Sequence, residues 1–175
     1  MAEKPNTEPN TAMDQANREA KERLVAGLRG RGAHLNFESA VADMPGRLYN
    51  AKPDNVPYTF WHQLEHIRIC QWDILEYIRN PGFTSPPWPE GYWPAQDAEA
   101  DSAGWKKTIE GYQADRDELI RLVEAEELNV LAPVPHNRGR SVMGSVLIVI
   151  DHNAYHLGEF VMGRQIMGAW NSELA

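Results

Sequence analysis

Residues 151–159 read Asp-His-Asn-Ala-Tyr-His-Leu-Gly-Glu and lie in an apolar run that predicts a helix from Ser141 to about Met167. His152 and His156 are four residues apart, so on an α-helix both imidazoles project from one face about one turn apart. Two imidazoles placed in this way can share one metal ion, and a third ligand from another helix would complete an open catalytic site. The stretch therefore points to a metal site built on a buried helix.

A second pair of histidines with the same spacing, His62 and His66, lies in a helix predicted from about Tyr58 to Arg79. The packing stripe of this helix steps by four and three residues through Phe60, Leu64, Ile67, Gln71, Ile74 and Ile78. A neighbouring stripe carries His66, Cys70, Asp73 and Tyr77. We therefore expect His66 to face the centre of the fold, and His62 to be exposed or to lie at a pocket rim.

Two further helices complete the prediction, one from Ala12 to about Arg29 and one from Asp97 or Ser102 to Glu127. A short helical piece capped by Asn36 follows the first helix, and a proline-containing connection occupies residues 128–140. The sequence predicts an all-α four-helix bundle in one domain over residues 12–175. Residues 1–11, rich in Glu, Lys, Pro and Asn, are predicted to form a disordered tail.

Composition limits the classes of function. The 175 residues carry a net charge of -8 without a cluster of Lys and Arg, which argues against a nucleic-acid partner. No apolar stretch approaches the ~20 residues needed to span a bilayer, so we expect no membrane partner. The single cysteine excludes an intramolecular disulfide, and the first residues lack the apolar segment of a signal peptide. These features predict a soluble cytoplasmic protein.

The fourth predicted helix is apolar nearly all the way round, with Met143, Leu147, Ile150, Ala154, Leu157 and Val161 on one stripe and further apolar residues elsewhere. A helix of this kind must be covered on most sides. We expect a homodimer in which this helix takes part; the alternative is a well-covered central helix in a monomer.

The segment from Phe83 to Gln96 combines four aromatic residues with four prolines and is too stiff for a flexible linker. Two interpretations stay open, a lid over a functional site and a loop packed over the edge of the core.

Several side chains near the histidines have alternative interpretations. Cys70 is a soft ligand or reactive thiol, or else a buried apolar cysteine. Asp73 orients a ligating imidazole, or serves as a cap or in a surface salt bridge. Glu159 lies on the histidine face of its helix and can add charge near a metal or support a ligand. The histidines themselves can be hydrogen-bonded core residues rather than ligands.

Three segments together resemble the DinB-like superfamily: residues 61–75 (Trp-His-Gln-Leu-Glu-His-Ile-Arg-Ile-Cys-Gln-Trp-Asp-Ile-Leu), the loop 88–94 (Trp-Pro-Glu-Gly-Tyr-Trp-Pro), and residues 151–159. The resemblance extends from about Ala12 to Trp170. It implies an up-down-down-up bundle, often dimeric, with a divalent metal on His66, His152 and His156. Zn, Ni and Fe all suit such ligands.

The resemblance also implies a class of activity, because the superfamily includes metal-dependent S-transferases that use low-molecular-weight thiols. The implied reaction transfers such a thiol to an electrophile through a metal-bound thiolate, and hydrolysis at the same site is a variant. The alternatives are a non-catalytic metal-binding bundle with a stress-related binding role and a metal-free bundle. Two positions depart from the family pattern, since Glu159 stands where many members have Gln and His62 is not part of the triad. His62 can be a fourth ligand, an acid or base in the pocket, or an exposed residue, and we favour a position that is exposed or at the pocket rim.

Overall fold

Four long helices and one short helix form the fold in the computed structural model, which describes residues 11–30 and 32–170. The helices are α1 (Thr11–Leu28), α2 (Phe37–Val41), α3 (Phe60–Arg79), α4 (Ser102–Glu124) and α5 (Val142–Ile166). The predicted all-α fold is confirmed. The predicted tail lies outside the described residues, apart from Thr11, which begins α1.

Local capping explains where the helices begin. The side chains of Asn36, Thr59, Asp101 and Ser141 each accept a hydrogen bond from the backbone N–H three residues further on. Each cap satisfies one of the backbone donors that a helix N-terminus leaves unpaired. The N-cap predicted at Ser141 fixes the start of α5, and therefore the positions of both histidines on it.

The long helices pack in the order α1, α4, α3, α5 around the bundle. Side-chain pairs give their directions: Trp61 with Thr108 and Arg79 with Glu118 show that α3 and α4 run parallel. Gln63 with Glu159 and Gln71 with Asn153 show that α3 and α5 run antiparallel. Asn17, near the start of α1, accepts from the backbone N–H of Val130, beyond the end of α4. Arg29, just after the end of α1, pairs with Glu124, the last residue of α4, so α1 runs antiparallel to α4. The topology is therefore up-down-down-up, as predicted.

The apolar core consists of two clusters at opposite ends of the bundle. One includes Leu75 and Ile78 of α3 with Val146 and Val149 of α5. The other includes Phe60, Leu64 and Ile67 of α3 with Leu157 and Phe160 of α5. The middle of these two helices, which carries His66, His152 and His156, therefore lies where the two clusters meet.

A hydrogen-bonded polar layer crosses the core at this level. Gln71 donates to the backbone oxygen of Tyr112 at 2.8 Å. The amide nitrogen of Asn153 donates to Gln71 Oε1 and to the Tyr112 hydroxyl, both at 3.2 Å. The layer ties α3, α4 and α5 together beside the histidines.

The predicted connection over residues 128–140 contains a hairpin that the sequence pattern did not indicate. Strand β1 (Pro133–Val134) pairs antiparallel with β2 (Asn137–Ser141). The strands are short and rich in Pro, Gly and polar residues, so they lack the alternating apolar pattern that predicts a strand. The hairpin leads directly into the cap of α5 at Ser141.

Two surface properties concern possible partners. None of the helices in the described part of the chain is long and apolar enough to cross a membrane. Helix α5 exposes a set of large apolar side chains, namely Leu147, Ile148, Tyr155, Met162 and Ile166. We call this set the outer face of α5.

Candidate metal centre

Three imidazoles from two helices meet in the middle of the bundle. The ring centroid of His66 lies 4.9 Å from that of His152 and 4.8 Å from that of His156, and the two α5 rings are 4.5 Å apart. His66 and His156 are buried, and His152 is half-buried. The antiparallel packing of α3 against α5 therefore brings together the three residues that the sequence singles out.

Hydrogen bonds determine which nitrogen two of these rings present to one another. Nδ1 of His66 lies 2.8 Å from the backbone oxygen of Tyr92. Nδ1 of His156 lies 2.8 Å from Oε2 of Glu159. Because a carbonyl or a carboxylate oxygen only accepts, Nδ1 carries the proton in both rings, and Nε2 keeps its lone pair. This is the tautomer that a metal ligand bound through Nε2 requires.

His152 completes the cluster. Its Nε2 lies 3.1 Å from Nε2 of His66. Two nitrogen ligands at about 2.0–2.1 Å from a tetrahedral zinc ion are about 3.3 Å apart, so the pair fits a shared cation with little movement. The facing lone pairs require either one proton or one cation between them. Nδ1 of His152 is buried and has no hydrogen-bond partner among the described residues.

The imidazoles of His66 and His152 are neutral at neutral pH. Burial lowers the pKa of His66 to about 4, with a further decrease from neighbouring His156. Burial also lowers the pKa of His152 to about 4, and His156 and His66 add to the effect. A neutral imidazole is the form that binds a metal.

Cys70 offers a second set of possible ligands. Its Sγ lies 3.6 Å from Nδ1 and 3.8 Å from Nε2 of His66. Ligand atoms of His66, Cys70 and His152 all lie within 4.8 Å of one another. Burial, followed by the charge of Asp73, raises the pKa of the Cys70 thiol to about 12. Without a metal the group is therefore a thiol beside an imidazole, not a reactive thiolate.

The aromatic loop covers the cluster. The indole of Trp93 stacks on His66 with ring centroids 3.8 Å apart and an interplanar angle of 5°. Tyr58 in turn stacks on Trp93 at 5.0 Å. Together with the bond from His66 to the Tyr92 carbonyl, this stacking fixes the ring of His66 in orientation. The sequence marked the loop as a lid or a packed edge, and its second half packs on the site.

Glu159 is the centre of a small network. Besides His156, its Oε2 accepts from the Tyr58 hydroxyl at 3.0 Å and from Gln63 at 3.1 Å. Burial opposes ionisation, but the hydrogen bonds from Tyr155, His156 and Tyr58 lower the pKa of Glu159 overall. Sequence reasoning missed the roles of Tyr58 and Gln63, and only the high density of aromatic residues in the loop hinted at Trp93.

His62 was predicted to be exposed or at a pocket rim, and the exposed interpretation is wrong. Its side chain is only 6% exposed, and Nε2 donates to the backbone oxygen of Ala98 at 2.9 Å. The chain that leads into α4 covers the edge of α3 on which His62 lies. His62 therefore links α3 to that segment and lies outside the imidazole cluster.

Asp73 is 7% exposed, so the predicted surface salt bridge is wrong as well. Its Oδ1 has no hydrogen-bond partner in the part of the chain that the structure describes, and the carboxylate there bonds to no imidazole. Asp73 lines a pocket of about 220 Å³ whose wall includes Cys70, Ile74, Trp88, Tyr92, Ile148, His152 and Asn153. The pocket opens beside the imidazole cluster.

Comparison with known proteins adds one positive finding. A family model described as the DinB superfamily matches residues 31–160. No curated protein shows significant similarity to the chain, and no solved structure does either. The match covers well over half of the sequence and includes all three histidines of the cluster. The chain belongs to the DinB superfamily.

Proposed function

We propose that the protein is a divalent-metal-dependent enzyme that transfers a low-molecular-weight thiol to an electrophile. The observation that carries the proposal is the convergence of His66, His152 and His156, with two rings held by Nδ1 so that Nε2 remains free. Three protein ligands would leave a position open for a substrate atom on a bound ion. Zn, Ni and Fe are all compatible with imidazole ligands.

The reaction is a substitution or an addition at the carbon of the electrophile, with the thiol sulfur as the nucleophile. The thiol loses its proton and its sulfur forms a bond to the electrophilic carbon, while the bond from that carbon to the leaving group, or a π bond of an unsaturated electrophile, breaks. The proton passes to the leaving group or to the adduct. A divalent ion held by His66, His152 and His156 would supply Lewis acidity, which favours the thiolate form of a thiol at neutral pH.

The chain contributes orientation and a water-poor environment. Trp93 covers one face of His66, and the ionised Glu159 holds His156 in its ligating tautomer. Such partners usually keep a ligand in position and raise its basicity. Both side chains therefore prepare the ligands before substrate arrives.

The direct test begins with protein purified without added metal, followed by elemental analysis and anomalous scattering at the metal edges. We expect close to one divalent ion per chain and density bridging the three Nε2 atoms. Metal-loaded protein should consume thiol in the presence of an electrophile, across a panel of both. Loss of metal in His152→Ala, with His34→Ala unchanged, would support the site, whereas full metal content in His152→Ala or the absence of thiol consumption would overturn the proposal.

Cys70 supports a second candidate, a non-catalytic metal-binding bundle. Its thiol lies close enough to His66 to be a fourth ligand, and four protein ligands make a closed structural site. Cobalt substitution separates the candidates, because a coordinated thiolate gives a sulfur-to-cobalt charge-transfer band. We expect no such band, and its appearance would favour the closed site.

The outer face of α5 supports a further proposal, that a second copy of the chain covers its C-terminal part, which exposes Tyr155, Met162 and Ile166. Contiguous apolar surface of this kind is typical of interaction sites. Met162→Arg should shift the sedimentation coefficient from that of a dimer to that of a monomer, while Glu126→Arg, elsewhere on the surface, should not. A monomeric unmodified protein would rule this out.

We also propose that the protein acts in the cytoplasm, since a lone cysteine and a thiol substrate suit a reducing compartment. Fractionation of the source cells, followed by immunodetection, is the measurement. Recovery outside the cytoplasmic fraction would contradict it.

A further inference from the structure

The pocket beside the imidazole cluster is lined by several buried polar side chains that have an atom without a hydrogen-bond partner. In the described part of the chain, buried side-chain atoms without a partner are Asp73 Oδ1, Asn153 Oδ1, His152 Nδ1 and Arg116 Nε. The first three belong to side chains that line the same pocket. Since roughly 90% or more of buried polar groups are paired in native proteins, this concentration indicates a place for a bound polar group.

Two of the three unpaired pocket atoms, those of Asp73 and Asn153, are oxygens and select a donor. The orientation of Asn153 follows from its amide nitrogen, which donates to Gln71 and to Tyr112, so the free atom is an oxygen. The free atom of Asp73 is also an oxygen, and this carboxylate has no salt bridge within the described ranges. Two unpaired acceptors, one of them on a carboxylate, are best satisfied by a cationic N–H donor.

The charge of Asp73 is felt by its neighbours in the pocket. Burial raises the pKa of Tyr92 to about 12, and a hydrogen bond to the Asp73 carboxylate and the negative charge of Asp73 add to the effect. Burial and the charge of Asp73 also raise the pKa of the Cys70 thiol. Among the described residues no cationic side chain forms an ion pair with the Asp73 carboxylate. This part of the pocket therefore carries an uncompensated negative charge.

The walls of the pocket are apolar. Trp88, in the aromatic loop, is 71% exposed and lies at the rim of the pocket. Ile148, on α5, also lines the pocket and is exposed. Ile74 and Val149 lie along the sides. A volume of about 220 Å³ is below the ~300–1,000 Å³ that holds a drug-sized ligand. The occupant is therefore a small molecule with one apolar end and one polar end.

We propose that this pocket binds a small primary amine with an aromatic or similar apolar body, its ammonium group on Asp73 and Asn153 and its body between Trp88 and Ile148. The pocket adjoins His152, which makes the amine part of the electrophilic substrate. This last clause rests on the function proposed above, whereas the binding itself does not.

The test uses the full chain with metal removed by a chelator, so that coordination of the amine to an ion cannot contribute. Three probes of nearly equal size are titrated by calorimetry at neutral pH: 2-phenylethylamine, 2-phenylethanol and 3-phenylpropionate. We expect the amine to bind about tenfold or more tightly than the alcohol, as for a hydrogen bond to a charged group, and the carboxylate to bind most weakly.

Substitutions of Asp73 and Trp88 test whether these residues cause the preference for the amine. Asp73→Asn should weaken the amine about tenfold and change the alcohol little. Asp14→Asn removes the same charge from an exposed position on α1 and should change neither. Trp88→Ala should weaken amine and alcohol alike. Equal affinity for amine and alcohol, or a folded Asp73→Asn protein with unchanged amine affinity, would overturn the proposal.

If Asp73→Asn does not fold, the exposed Ile148 provides a second route. Ile148→Lys places a competing cation at the mouth of the pocket and should weaken the amine selectively, whereas Ile148→Gln should affect amine and alcohol equally. An unchanged ratio of the two affinities in Ile148→Lys would count against the proposal.

Failure of this proposal and failure of the proposed function give different results. Amine binding to metal-free protein, combined with no thiol consumption after metal loading, retains the pocket and rejects the transferase. Thiol consumption that is indifferent to Asp73→Asn, in a protein that does not prefer amines, retains the transferase and rejects the pocket.

Discussion

The pairs His62/His66 on α3 and His152/His156 on α5 have the same spacing and different surroundings. On α5 both imidazoles join the cluster, because the face that carries them packs against α3. On α3 only His66 does so, while His62 donates to the carbonyl of Ala98. Spacing places two rings on one face, but the neighbours of that face decide whether each ring can reach a shared ion.

The largest expected difference separates the two members of the α3 pair. His66→Ala should abolish stoichiometric metal binding, because it removes the ligand from the second helix, and activity should fall by at least ~100-fold. His62→Ala should retain the metal and lose about 1–3 kcal/mol of unfolding free energy, the usual cost of an unpaired buried group. Elemental analysis measures the metal content and urea denaturation measures the stability. Loss of metal in His62→Ala would contradict the prediction that only His66 of the α3 pair is a ligand.

On α5, a substitution of Glu159, the hydrogen-bond partner of His156, tests whether the surroundings of a histidine decide its role as a ligand. Glu159→Gln keeps the size of the side chain but weakens the hydrogen bond that holds Nδ1–H. We expect metal affinity to fall about 10–100-fold, as for other supporting partners of metal ligands. Competition with a chelator measures it, and Glu126→Gln is the control. Unchanged affinity would show that Glu159 does not support the ligand.

Cys70 tests which set of ligands the cluster uses. With His66, His152 and His156 as ligands, Cys70→Ser should leave metal affinity within about threefold and the cobalt spectrum unchanged, because oxygen replaces a group outside the coordination shell. With His66, Cys70 and His152 as ligands, affinity should fall strongly and His156→Ala should matter little. Measuring both variants side by side distinguishes the two sets.

A prediction of a different kind concerns protons in the metal-free protein. Burial lowers the pKa of His66 and of His152 to about 4, against about 6.5 in an unfolded chain. Between these values the unfolded state binds more protons, so the stability present above pH ~6.5 is lost as pH falls towards ~4. Denaturation at a series of pH values should show this loss. His152→Asn should reduce the slope, and the exposed His34→Asn should not.

The sequence predicted the helices well because their signals are local. Ser141 caps α5 where expected, and the stripe that includes His66 faces the centre of the bundle. It could not predict the neighbours supplied by loops, since the route of residues 80–101 depends on contacts across the fold. The stacking of Trp93 on His66 and the burial of His62 both arise from that route. The hairpin before α5 was missed for a related reason, its strands being too short and too polar to show a pattern.

The polar layer made by Gln71, Asn153 and Tyr112 has a consequence for how the helices can align. An apolar interface between α3 and α5 would tolerate sliding, because one leucine contact resembles the next. Moving α5 by one turn, about 5.4 Å, would break the bonds of Asn153 to Gln71 and Tyr112 and leave buried amides unpaired. The layer therefore fixes the position of α5 along α3. It disfavours alignments of the two helices in which His152 and His156 lie a full turn away from His66.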